Sequence, residues 1–102
     1  MTTHTVRCGD YAHYHDPDDE WRVRGFASAE HAAEYARRFV RARIEEFRAA
    51  ATSPDALRQT YLRWGEYAAT TSLDQRDWVE FCLVNPATAP RDTDYDALEP
   101  RP

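Results

Sequence analysis

The sequence predicts a small α+β fold, in which an antiparallel sheet of two or three strands is packed by one long helix and one or two shorter helices. Two observations lead to this fold class. Apolar residues recur at steps of three and four over residues 28–51, as on one face of a helix. Upstream of it, residues 4–14 and 21–26 alternate between apolar and polar side chains, which is typical of half-buried strands.

The first two predicted strands are expected to pair as an antiparallel hairpin. Val6 and Cys8 share one face of the first strand, and the stretch from His15 to Glu20 combines a proline with four acidic residues. Proline and aspartate favour turns, so this stretch is expected to be the hairpin loop. In the second strand, Trp21, Val23 and Phe26 are expected to point toward the core.

The long helix has a clear start and an apolar stripe. Ser28 is a suitable N-cap, and Glu30 in the first turn complements the helix dipole. Two i,i+4 pairs of opposite charge are expected on the polar face, namely Glu34 with Arg38 and Arg41 with Glu45. The stripe that we expect to face the sheet comprises Ala29, Ala32, Ala36, Phe39, Val40, Ile44, Phe47 and Ala51.

Residues 54–64 predict a second helix, with Ser53 as its N-cap and Gly65 as the residue that ends it. Its inward side is expected to carry Leu57, Tyr61 and Trp64. Residues 66–71 suit a short strand. Residues 74–83 fit either a buried strand or a helix, and we favour a helix capped by Asp74, with Trp78, Phe81 and Cys82 facing inward.

We expect one domain over residues 1–84 and a Pro/Asp-rich tail over residues 85–102. The tail is poor in apolar residues and cannot build a core of its own, so its composition predicts disorder.

Composition and charge restrict the classes of function. The net charge is −5, and the basic residues concentrate in the middle: residues 22–63 contain nine arginines and five acidic residues, a net of +4. This balance opposes nonspecific binding to nucleic acid.

Cys8 and Cys82 are isolated and are expected to be buried thiols rather than a disulfide. The sequence shows neither a signal peptide nor an apolar run that spans a bilayer, so we expect a cytoplasmic bacterial protein.

One motif carries the chemistry of a metal site. His13 and His15 are two residues apart on the predicted first strand, so both imidazoles would project from one face, with Asp16 adjacent. Two histidines and a carboxylate are ligands for zinc, nickel or iron. The alternative is an exposed hairpin whose histidines bind nothing. No established ligand spacing accompanies the pair, and no cofactor is expected.

The charged surfaces favour a non-enzymatic interaction protein, of adaptor or inhibitor type, that acts on an unidentified protein partner by charge complementarity. No nucleophile motif supports an enzyme. A metal-dependent protein built on the histidine hairpin and a homodimer without ligand are the alternatives.

The arginines in the middle of the chain form a basic cluster, which could bind phosphate or an acidic protein surface. The cluster includes Arg22, Arg24, Arg38 and Arg43. The residues predicted for the interaction surfaces are Arg37, Arg41, Arg48, Asp18, Asp19, Glu20, Asp92, Asp94 and Asp96.

The order of short motifs resembles a family of small uncharacterised bacterial proteins. The matching pieces are His13-Tyr14 followed by acids, the stretch from Phe26 to Ala32, Trp64-Gly65-Glu66 and Asp77-Trp78. The resemblance implies a strand–acidic turn–strand hairpin, a long helix and a following helix. It implies no activity, but it draws attention to His13, Tyr14, Gly65 and Glu66; if Glu66 were buried near His13, it could act as a general acid or base.

Overall fold

We describe a computed structural model of the chain, which covers residues 3–14 and 16–100. It has the expected α+β architecture, a three-stranded antiparallel sheet and three helices. Two short 3-10 helices lie between the first two strands and two more lie near the C-terminus. The strands and helices are β1 His4–Asp10, β2 Trp21–Phe26, α1 Ala29–Arg48, α2 Pro54–Trp64, β3 Glu66–Ala69 and α3 Gln75–Val84.

The strand order is β2-β1-β3, with β1 antiparallel to both neighbours. The hairpin register places Arg7 opposite Arg22 and Cys8 opposite Trp21, while β3 pairs Cys8 with Ala68. An irregularity between His4 and Thr5 shifts the register at the far end of the hairpin. The sheet therefore has two edges, formed by β2 and β3.

The first strand is shorter than the predicted span of residues 4–14. It ends at Asp10, and Tyr11–His13 form a 3-10 helix instead. The cause is local, because the Asp10 carboxylate accepts a hydrogen bond from the backbone N–H of His13 at 2.8 Å and so favours a turn over a further strand residue.

Helix α1 packs across the inner face of the sheet. Its N-cap is Ser28 as predicted, with the hydroxyl accepting from the backbone N–H of His31 at 3.0 Å. The helix ends at Arg48 rather than at residue 51. Its buried stripe follows the predicted periodicity and contains Ala32, Ala33, Tyr35, Ala36, Phe39, Val40 and Ile44. Val6, Cys8, Phe26 and Ala68 complete this core from the sheet.

Helix α2 has the predicted bounds and the predicted Ser53 cap. Leu57 and Tyr61 are buried, whereas Trp64 is 56% exposed and does not join the inward side. Gly65 follows the helix with φ −74°, so it is not needed for a left-handed backbone. A Cβ at this position would instead overlap the ring of Tyr61, and this close approach explains the glycine.

The ambiguous segment is a helix, α3, and Asp74 caps it through the backbone N–H of Asp77. Val79, Cys82 and Leu83 are its buried residues. Trp78 is partly buried, and its indole N–H donates to the Arg37 carbonyl at 2.9 Å. Phe81, expected inward, is 46% exposed. Cys8 and Cys82 are both buried free thiols, as predicted.

The described part of the tail, residues 85–100, lies against α1 rather than free in solvent as its composition predicts. Tyr95 and Leu98 are partly buried against the core. Arg38 donates to the carbonyl of Asp94 at 3.2 Å, and the Arg43 guanidinium donates to the Tyr95 hydroxyl at 2.8 Å. A few apolar and backbone contacts thus order a segment of predominantly polar composition.

Over the described residues, none of the helices is both long enough and apolar enough to cross a membrane.

Candidate functional site

Of the three predicted metal residues, His13 does not lie on a strand. His13 lies on the 3-10 helix after β1. The prediction that His13 and His15 project from one face of a strand assumed that the strand continues to residue 14, and this assumption was wrong. His15 itself lies outside the described residues. The Asp16 carboxylate accepts from the backbone N–H of Asp18 at 3.0 Å and caps the next turn. In residues 3–14 and 16–100, no group of three or more His, Cys, Asp or Glu side chains is placed to hold a metal ion.

His13 instead forms a carboxylate–imidazole pair. Its Nδ1 lies 2.9 Å from Asp10 Oδ1 and 3.8 Å from Asp19 Oδ2. The hydrogen bond to Asp10 and the negative charges around it raise the pKa of His13 above its ordinary value. His13 and Glu66 line one open groove, and Glu66 accepts from Arg43 at 3.2 Å. Glu66 is only partly buried, which leaves little support for a general acid or base there.

Neither cysteine supplies a nucleophile to this groove. Burial is the main cause that raises the pKa of both Cys8 and Cys82 to about 12. Because the thiolate is the reactive form, these thiols are inert near neutral pH.

The α1 arginines predicted as interaction residues are engaged within the chain. Arg37 pairs with Glu30 and Glu34 at 3.2 and 2.9 Å. Arg41 donates to the carbonyls of Asn85 and Pro86 rather than pairing with Glu45. Arg48 pairs with Glu45 at 3.0 Å and also donates to the carbonyls of Cys82 and Leu83. Arg41 therefore fastens the tail to α1 and Arg48 fastens α3 to it, whereas the Arg37 side chain pairs within α1.

Two of the three predicted acids of the tail also act locally. Asp92 accepts from the backbone N–H groups of Thr88 and Ala89, both at 3.0 Å, and these bonds lower the pKa of its carboxyl. Asp94 accepts from the backbone N–H of Ala97 at 3.3 Å. Asp96 is exposed in the last 3-10 helix.

The acids of the hairpin loop lie beside the sheet. Asp18 and Asp19 are exposed in the 3-10 helix Pro17–Asp19. Glu20 precedes β2, and its carboxylate lies 3.9 Å from the Arg7 guanidinium.

The outer face of the sheet, turned away from α1, is the basic surface that the fold leaves uncovered. Because strand side chains alternate between faces, the burial of Val6 and Cys8 against α1 puts Arg7 on the opposite side. Its cross-strand partner is Arg22, and Arg24 lies two residues further along β2 on the same face. Their side chains are exposed, and so is that of Thr5, which faces Arg24. We call Thr5, Arg7, Arg22 and Arg24 the outer basic face.

Charge on the outer basic face is poorly neutralised. Among the described residues, the only ion pair formed by its three arginines is the loose contact of Arg7 with Glu20. Like charges directly opposite one another in a sheet destabilise it, so the pairing of Arg7 with Arg22 is unfavourable for folding. An external anionic group would relieve this repulsion.

A tyrosine cluster borders the outer basic face at the end near β3. Tyr67 lies over Gly9, and a Cβ on that glycine would come within 2.8 Å of the Tyr67 ring. The Tyr67 ring also contacts Tyr11 and Tyr14, with centroids 5.2 and 5.8 Å apart. The cluster covers one end of the outer sheet face and leaves the arginine end open.

Sequence reasoning grouped Arg22 and Arg24 with the α1 arginines and did not single out Arg7. The structure separates them, because α1 packs on the inner face. The alternation of β1 and β2 carried the missing signal: once Val6, Cys8 and Val23 are assigned inward, Arg7, Arg22 and Arg24 must share the outer face. Arg43 alone among the α1 arginines lines a groove together with Arg22 and Arg24.

Comparison of the chain with protein-family models, with curated proteins and with solved structures gave no match. The resemblance to a family of small bacterial proteins therefore stays a prediction. In the structure, the segment that precedes His13-Tyr14 lies beside Gly65-Glu66, since Asp10 pairs with Glu66 and the backbone N–H of Tyr11 donates to the Gly65 carbonyl at 2.9 Å.

Proposed function

We propose that the chain is a non-enzymatic protein-interaction module, of adaptor or inhibitor type, which binds an acidic segment of a partner protein on the outer basic face. The observation that carries this proposal is the exposed Arg7–Arg22 pair with Arg24 beside it. Arginine binds carboxylates in a bidentate way and is suited to such surfaces.

Charge complementarity determines which partner we favour. The whole chain carries −5, and the acidic hairpin loop adjoins the outer basic face through Glu20. A long polyanion such as nucleic acid would meet this surrounding negative charge, whereas a short acidic segment of a protein can contact the arginines alone. The partner is thus a protein with a local acidic stretch.

An NMR titration tests the proposal. The isotope-labelled chain is titrated with a short oligoglutamate peptide at low and at high salt. We expect chemical-shift changes in β1 and β2 and weaker binding at high salt, because exposed charges are screened. Replacing Arg22 and Arg24 by glutamine should weaken binding about tenfold, since two exposed ion pairs contribute roughly 0.2–1 kcal/mol each.

The matched control is Arg76→Gln, which removes an exposed arginine of α3 and should leave the affinity unchanged. Binding of oligoglutamate that is insensitive to the double substitution would contradict the proposal. Tighter binding of a single-stranded oligonucleotide than of oligoglutamate would also contradict it.

A further inference from the structure

Strand β2 has one free edge. The strand order β2-β1-β3 pairs it with β1 on one side only. In residues 3–14 and 16–100, the backbone of Trp21–Phe26 forms no hydrogen bond to other backbone groups outside the sheet. An edge strand presents a row of unpaired N–H and C=O groups, onto which another strand can be added.

A groove runs beside this free edge. It has a volume of about 510 Å³, and residues 21–24 of β2 form one side. Trp21, which is 39% exposed, is the aromatic ring of the groove that a ligand can contact, since Tyr35 and Phe39 below it are only 3% and 4% exposed. The tail contributes Tyr95, Glu99 and Pro100 to the lining, and β3 contributes Glu66. Four strand residues extend about 13 Å, so the groove accompanies the edge for a length that a short extended segment can fill.

The pleat of β2 divides the groove chemically. Trp21 belongs to the inner side, where its ring contacts that of Phe39 with centroids 6.3 Å apart. Arg22 and Arg24 belong to the outer basic face. Because an added strand continues the pleat, its side chains would alternate between the aromatic side and the arginine side. The fitting segment therefore alternates apolar and acidic residues.

Arg43 of α1 also lines the groove. Its two terminal nitrogens are hydrogen-bonded, one to Glu66 and one to the Tyr95 hydroxyl. Its Nε is buried and has no acceptor among the described residues. Because this nitrogen has no exposed surface, Arg43 contributes to the groove only its positive charge, which is already paired with Glu66.

A second copy of the chain is a poor occupant of this edge. If two β2 strands paired antiparallel about Val23, Arg22 of one copy would face Arg24 of the other on the same side of the sheet. Two such contacts between like charges oppose the pairing. The same arginines favour a segment that places carboxylates beside them.

We propose that β2 accepts an extended segment of a partner protein as a fourth strand, with acidic residues beside Arg22 and Arg24 and apolar residues against Trp21. The inference rests on the proposed function and specifies the mode of binding. The main-chain hydrogen bonds give affinity, and the alternation of side chains gives selectivity.

The test uses amide hydrogen exchange in the full chain, with two soluble probe peptides: oligoglutamate and a peptide that alternates glutamate with valine or tyrosine. We expect the alternating peptide to bind more tightly, and to slow exchange of β2 edge amides at residues 21–24 at least about tenfold. Trp21→Ala should weaken binding of the alternating peptide and leave binding of oligoglutamate unchanged. Trp21→Phe should retain binding of the alternating peptide. Exchange in α1 verifies that each variant is folded.

The outcomes separate the two proposals. Binding of both peptides with unchanged exchange of the β2 amides would overturn strand addition and leave the interaction through the outer basic face standing. Binding of neither peptide would overturn both. If Trp21→Ala weakened binding of both peptides equally, strand addition would also be overturned, because oligoglutamate has no apolar residue to place against Trp21.

Discussion

His13 lies in a turn that is dominated by carboxylates. Asp10 bonds its backbone N–H and its imidazole, Asp19 lies near the ring, and Asp16 adds negative charge. The same Asp10 carboxylate that ends β1 therefore also sets the electrostatics of the imidazole. His13 is therefore part of a capped turn.

We predict that the pKa of His13 in the folded chain lies above the ordinary value of 6.5. Because the folded pKa is the raised one, the stabilising contribution is fully present below pH 6.5 and is lost as the pH rises through the folded value. Asp10→Asn should lower the titration midpoint, measured by NMR of the imidazole protons. A wild-type midpoint at or below 6.5 would show that the Asp10–His13 contact does not form in solution.

Individual residues also show where local sequence rules are sufficient. The caps at Ser28, Ser53 and Asp74 were predictable, because each side chain bonds an N–H group only three residues away. The end of β1 at Asp10 is equally local, but it competes with the alternating pattern that continues to Tyr14. The alternating pattern predicts that the strand continues past Asp10, but the Asp10 side chain caps a 3-10 helix and ends the strand.

At the scale of elements, α1 organises the molecule by having two different contact surfaces. Its apolar stripe covers the inner face of the sheet, and its arginines bond to α3 and the tail. Tyr95 is the principal apolar contact of the tail, with its ring 5.1 Å from that of Phe39 and 5.8 Å from that of Tyr35. The tail is therefore expected to contribute to stability.

We predict that Tyr95→Ala lowers the free energy of unfolding by about 1–3 kcal/mol, because it removes a partly buried ring from an aromatic group. Urea denaturation followed by tryptophan fluorescence measures the change. Tyr95→Phe should recover most of the loss, and Asp96→Ala, at an exposed neighbour, should leave the midpoint within about 0.5 kcal/mol of unfolding free energy. An unchanged midpoint in Tyr95→Ala would mean that the tail does not pack on α1.

The elements differ in how far the sequence predicted them. Helix α1 was predictable because its periodicity spans many residues, and α2 because cap and proline mark its start. The order of the tail was not, because it depends on contacts between residues more than forty positions apart, such as Arg41 with Asn85. Composition indicates that a segment cannot form its own core, but it does not show whether another element will bind it.

For the whole molecule, α1 covers the inner side of the sheet and the tyrosine cluster covers one end of its outer side, so the arginine end of the outer side stays exposed. The α+β class followed from the sequence, whereas the candidate site did not. The charge counts placed the basic residues in the middle of the chain, but all five arginines of α1 bond within the chain, and the exposed positive charge lies on the hairpin. Only the register of β1 with β2 brings Arg7 opposite Arg22.

The outer basic face is a local positive region on a chain of net charge −5, and this contrast affects how a charged partner would approach it. In the proposed interaction, the local field would attract the acidic part of a partner, and the surrounding negative charge would repel its other acidic parts. Such a surface would select the orientation of the partner as well as its composition.

Charge reversal is the most direct measurement of this proposed interaction. Arg22 and Arg24 are both replaced by glutamate, and the wild type and the variant are each titrated with oligoglutamate and with oligolysine while the amides of β1 and β2 are followed by NMR. We predict that the wild type binds oligoglutamate at these amides, and that the variant loses this binding and binds oligolysine at the same amides instead. If the reversed variant binds oligoglutamate as the wild type does, or if oligoglutamate shifts only amides outside β1 and β2, the outer basic face is not the interaction surface.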